Sequence, residues 1–77
     1  MKTGDRVVFV ADWHDIVEFG DVGVIERVID EEEREFLKRV WNTDEDLKYE
    51  VNFNGTILVV TEEDVVPLSI GVLIGGG

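Results

Sequence analysis

Apolar and polar residues alternate without a break from Leu47 to Phe53. Leu47, Tyr49, Val51 and Phe53 fall on one side, and Lys48, Glu50 and Asn52 on the other. That period of two predicts a half-buried strand. Asn54-Gly55 follows, the pair best suited to the two positive-φ positions of a type I′ turn, and Thr56–Thr61 returns as the partner strand. A two-residue turn fixes the register, setting Phe53 opposite Thr56, Val51 opposite Leu58 and Tyr49 opposite Val60. Val51, Phe53, Leu58 and Val60 then share the core face. Ile57 and Val59 fall on the other face beside Glu50 and Asn52, where a solvated sheet should be polar. This predicts that something covers the second face: the helix described next, the C-terminal tail or another subunit.

The remaining elements read more simply. Gly4-Asp5 is turn chemistry before a β-branched strand, Arg6 to Ala11. A polar and acidic loop runs from Asp12 to Asp21, and a second strand from Val22 to Ile29, with Gly23 marking a bulge or a close backbone approach. Asp30 can cap a helix whose first turn is Glu31-Glu32-Glu33 and whose last carries Lys38-Arg39. Phe36, Leu37, Val40 and Trp41 recur at helical spacing, so a helix is predicted over 31–41, with an extended hairpin arm as the competing reading. Glu62-Glu63-Asp64 reads as one helical turn. Val65-Val66-Pro67-Leu68 reads as a short closing strand, with Pro67 suited to an edge.

In order and spacing these pieces resemble the SH3-like small barrels, the group that includes Tudor, KOW and CarD-type polymerase-binding domains. The matching segments are Gly4-Asp5-Arg6-Val7, Gly20-Asp21-Val22-Gly23-Val24-Ile25, Tyr49 to Gly55, and Glu62 to Leu68. The resemblance implies a mainly β fold: a five-stranded barrel over residues 1–68 with an insertion at 30–48, followed by an apolar, glycine-rich tail at 69–77. It also implies a non-catalytic binding module. The insertion is longer than a minimal barrel needs, and the loops are acidic where KOW-type loops are basic. A second resemblance is to the ubiquitin-like β-grasp, whose strand–strand–helix–strand–strand order and terminal glycines match Ile74-Gly75-Gly76-Gly77. It implies a modifier or sulfur carrier activated at its C-terminal carboxylate.

Charge narrows the function classes. Eighteen acidic residues against seven basic ones give a net charge of −11 over 77 residues. Direct binding to DNA or RNA, which needs a basic footprint, is argued against. A basic protein surface is the natural complement, and a nucleic-acid mimic is the alternative use of so many carboxylates. The chain has no Cys and one His, which argues against disulfides and zinc. Absence of Cys and of a secretory apolar region predicts a cytoplasmic protein, and no apolar run approaches the length of a membrane span. Ser69 is the only Ser and His14 has no evident nucleophile to serve, so no enzyme activity and no cofactor are expected.

The candidate partner-binding residues are Trp13, His14, Asp15, Phe19, Trp41 and Tyr49. Trp13-His14-Asp15 lies in the long loop, where such barrels bind. Trp13, Phe19, Tyr49 or Phe53 would form an aromatic cage for a cation, unless Trp13 folds back over the barrel end as core. Trp41, with Phe36 and Val40, forms either a partner-binding stripe or the face that packs the helix on its own sheet. Asn42-x-Asp44-x-Asp46 starts like a calcium loop, but Leu47 and Phe53 stand where Gly and Glu are required, so it reads as a solvated charge run. Oligomeric state is left open.

Overall fold

The computed structural model describes residues 1–68. In chain order these residues form β1 (Arg6–Phe9), β2 (Val22–Val28), α1 (Glu31–Trp41), β3 (Leu47–Phe53) and β4 (Thr56–Thr61). A 3-10 turn (Glu62–Asp64) and β5 (Val65–Pro67) complete the fold. The five strands make one sheet in the order β4-β3-β2-β1-β5, and each neighbouring pair is antiparallel.

The hairpin has the register its turn dictates. Asn54 and Gly55 take φ of 53° and 97°, and Phe53, Val51 and Tyr49 pair with Thr56, Leu58 and Val60. Val51, Phe53, Leu58 and Val60 are buried, and they join Val7, Phe9, Ile25 and Val65 in a core to which all five strands contribute. Gly23 lies on this inner face. A Cβ there would stand 2.7 Å from the side chains of both Val51 and Phe53, so glycine leaves the room that these two core side chains occupy. Register shifts between Ile25 and Arg27 where β2 faces β3, giving the bulge that bends the strand.

Two expectations about the sheet are corrected. No ladder joins β4 to β5 among the described residues, so the sheet is open where a closed barrel was expected. The chain turns through Glu62–Asp64 directly into a strand of three residues ending at Pro67, which has no N–H to extend a ladder. The β-grasp alternative is also overturned: every strand pairing is antiparallel, and α1 joins β2 to β3, which are themselves sheet neighbours. The tail 69–77, with its terminal glycines, lies outside the described residues.

Helix α1 forms where Asp30 and the charge gradient place it. Asp30 Oδ1 accepts from the Glu33 N–H at 2.8 Å, and Asn42 closes the helix in the left-handed region with φ 51°. No residue of α1 is buried, however. Its half-buried positions are Glu33, Arg34, Leu37 and Lys38, so the apolar stripe shares only Leu37 with the face turned toward the sheet. Polar contacts set that rotation. Arg27 grips Glu33 through both guanidinium nitrogens, Arg34 Nε donates to the Leu47 carbonyl at 3.1 Å, and Lys38 pairs with Asp46 at 2.7 Å. Val24 and Ile57 on the outer sheet face stay exposed, so the helix does not cover them.

Candidate functional site

The loop between β1 and β2 is built around two anchors. At its neck, Gly20 N–H donates to the Phe9 carbonyl and Phe9 N–H to the Asp21 carbonyl, with Gly20 at φ 96°. At its tip, His14 Nδ1 accepts from the backbone N–H groups of Ile16 and Val17, both at 3.1 Å, and Val17 is driven into the core. The imidazole is spent on shaping its own loop, with Nδ1 the acceptor of both bonds. Asp15, Ile16 and Phe19 remain on the exposed side.

Trp13 is the one member of this loop that reaches the rest of the molecule as a ring. Its indole N–H donates to Asp64 Oδ1 at 3.1 Å, and it packs T-shaped against Phe9 with ring centroids 5.6 Å apart. It is nonetheless 52% exposed, so it is neither a core residue nor a loose one. The other oxygen of Asp64 accepts from the Thr61 N–H, and its carbonyl accepts from Val10 N–H. Asp64 thus fixes the ring and the 3-10 turn through its carboxylate and the start of the loop through its carbonyl.

Beside the ring opens a groove of about 520 Å³. Trp13 forms one wall, and Glu62, Glu63 and Asp64 of the 3-10 turn continue it. Glu45, Asp46, Thr61, Arg34 and Lys48 complete the lining. Five carboxylates thus face two cations, and both cations are engaged: Arg34 with the Leu47 carbonyl and Lys48 with Glu62 at 3.4 Å. Lys38 lies outside the lining but holds Asp46, which its ammonium keeps below the ordinary carboxylate range. The surplus is negative, next to an exposed indole. That combination suits a cation carried on an apolar stem, such as a lysine or arginine side chain.

Of the six candidate partner-binding residues, only Trp13 lines this groove. Tyr49 is corrected outright. It is 2% exposed, inside the core opposite Val60, and presents nothing to a partner. Phe53 is likewise buried, edge-on to Phe9 at 5.5 Å, so the expected ring cage does not form. His14, Asp15 and Phe19 lie in the same loop but outside the groove. Trp41 is exposed on α1 together with Phe36 and Val40, an apolar surface separate from the groove, so of the two readings of this stripe the one that packs it on its own sheet is overturned.

The sequence reading missed the opposite wall. Glu62-Glu63-Asp64 was legible as a turn and Glu45-Asp46 as a charge run, yet nothing local signals that they meet across Trp13. Among the described residues no group of three or more His, Cys, Asp or Glu side chains is arranged to hold a metal ion, and no helix is long and apolar enough to cross a membrane. No protein-family model, curated protein or solved structure matches the chain.

Proposed function

We propose that this chain is a non-catalytic protein-binding module, an accessory or regulatory domain that docks on a basic partner protein. The observation that carries the proposal is the groove at Trp13, where an anchored but exposed indole faces a net-negative wall. A lysine or arginine side chain from the partner would lie along the ring and reach the carboxylates of Glu62, Glu63 and Glu45. Cation–π contact over an indole contributes roughly 0.5–2 kcal/mol, enough for specificity though not for tight binding alone. The overall charge of −11 would then steer the approach, raising the encounter rate more than the final affinity. The strand order and the 3-10 turn before the last strand support the SH3-like reading, although a fold does not by itself name a ligand.

The test follows Trp13 fluorescence in a Trp41→Phe background during titration with an arginine- and lysine-rich peptide. Saturable change that weakens as salt rises, and that Trp13→Ala or Glu62→Gln/Glu63→Gln reduces, is the expected result. A flat titration, or an equal response to an acidic control peptide, would sink the proposal.

A further inference from the structure

Strand β4 ends the sheet, and its sequence, Thr56-Ile57-Leu58-Val59-Val60-Thr61, carries no charge. Edge strands are ordinarily blunted by Lys, Pro, a bulge or a covering element, because a row of unpaired N–H and C=O groups recruits another strand. β4 itself has no Lys and no Pro, and the one irregularity in its ladder lies on β3, between Leu47 and Tyr49, beyond Ile57 and Val59.

The register shows which groups are left over. In a hairpin closed by a two-residue turn, the residues flanking the turn exchange hydrogen bonds, and bonded pairs then alternate. Thr56, Leu58 and Val60 therefore bond to β3 through their pairs with Phe53, Val51 and Tyr49. The N–H and C=O groups of Ile57 and Val59 point away from β3. Among the described residues nothing pairs with them, while the next N–H outward, that of Thr61, is taken by Asp64. The side chains of these same two residues are the apolar pair on the outer face, with Ile57 52% exposed.

We infer that β4 pairs antiparallel with β4 of a second copy of this chain, Leu58 facing Leu58 across a two-fold axis. In that register Ile57 lies opposite the second copy's Val59, and Val59 opposite its Ile57. The four outward groups of each copy are then satisfied together by four backbone bonds, with none left over. Ile57 also gains an apolar neighbour on the outer face. No like charges meet along the strand, since β4 has none. The alternative of one copy's β4 adding to another's β5 is blocked, because β5 offers three residues ending at Pro67, which lacks an N–H. The pairing is therefore isologous and closes at two copies, where a β4–β5 contact would propagate into a filament.

The charge of −11 per copy opposes this contact, which gives it a signature that a basic partner cannot imitate. Raising salt from about 0.01 to about 1 M shortens the Debye length from about 30 to about 3 Å, so self-pairing strengthens where docking to a basic partner weakens.

Sedimentation equilibrium of the full chain across that salt range is expected to show a monomer–dimer equilibrium shifting toward dimer. Ile57→Glu places a carboxylate at each cross-strand pair and is expected to weaken the dimer roughly tenfold or more. Since Ile57 is exposed, the variant should keep its fold, which circular dichroism verifies. Amide exchange adds a readout independent of any variant: protection of the Ile57 and Val59 N–H groups should rise with protein concentration, while Leu58 and Val60 stay protected throughout. A chain that remains monomeric at every salt and concentration overturns the inference. So does a dimer indifferent to Ile57→Glu, or one in which the Ile57 and Val59 amides exchange as fast as at high dilution.

Discussion

Trp13 and Asp64 stand 51 positions apart in the chain, and a hydrogen bond of 3.1 Å from the indole nitrogen to Oδ1 joins them. The second oxygen of the same carboxylate caps the 3-10 turn through the Thr61 N–H at 3.0 Å. Removing the carboxylate therefore releases the loop ring and the turn together. Asp64→Ala is expected to lower stability by about 1–2 kcal/mol, the range for losing a side-chain cap. It should also shift Trp13 emission to the red as the ring becomes more exposed. Asp64→Asn, with one acceptor oxygen in place of two, should fall between. Urea denaturation followed by fluorescence in the Trp41→Phe background separates the two effects.

Gly23 and Gly55 are required for different reasons, and alanine at each should reveal them. At Gly23 a methyl group would meet Val51 and Phe53 at 2.7 Å, so Gly23→Ala must push the core apart and cost about 1–3 kcal/mol. At Gly55 there is open space, but the backbone sits at φ 97°, and Gly55→Ala should cost about 1–2 kcal/mol as strain. Phe53→Leu, which shrinks the side chain that the methyl group meets, should offset part of the cost of Gly23→Ala but only add its own cost to Gly55→Ala. Equilibrium unfolding of the four proteins checks this.

The apolar residues of α1 should be nearly silent in stability. Phe36 is 54% exposed, so Phe36→Ser is expected to change unfolding free energy by no more than about 0.5 kcal/mol. Phe9→Ala, by contrast, removes a fully buried ring and should cost about 3–5 kcal/mol. A large loss for Phe36→Ser would mean that the helix packs through its stripe.

The helix should also loosen in acid before the sheet does. Hydrogen bonding to Arg27 holds the Glu33 carboxyl below its ordinary value, and hydrogen bonding to Lys38 does the same for Asp46. Groups whose ionisation is made easier by folding favour the folded state above the usual carboxylate range. That contribution fades as pH falls through the depressed folded values, where the carboxylates finally protonate. Both pairs are partly solvated, so added salt should shrink the effect. Amide exchange of α1 residues relative to β3 residues, measured as pH is lowered, should show α1 opening first. Glu33→Gln should remove part of the difference.

The hairpin, the helix span and the core were legible because each is fixed by neighbours in sequence. Asn54-Gly55 sets the register of Tyr49 through Val60, and Asp30 with its charge gradient sets where α1 begins. The rotation of α1 was not legible. Phe36, Val40 and Trp41 predict an inward face by periodicity, but Arg27, Leu47 and Asp46, all remote from the stripe, hold Glu33, Arg34 and Lys38 against the sheet instead. Tyr49 shows the opposite case. Alternation with Val51 already assigned it to the core face, and assigning its ring to a surface cage ignored that register. The Trp13 groove was half legible, since exposure of a loop tryptophan is readable but the wall opposite belongs to a turn fifty residues away.

Because no side chain of α1 is buried, the barrier against substitution that protects a packed core does not extend to this helix. Its outward positions can drift, acquire new chemistry and lose it again while the sheet beneath stays as it is. The insertion between β2 and β3 is in that sense a replaceable surface on a packed frame, held on by three polar clasps, Arg27 to Glu33, Arg34 to the Leu47 carbonyl and Lys38 to Asp46.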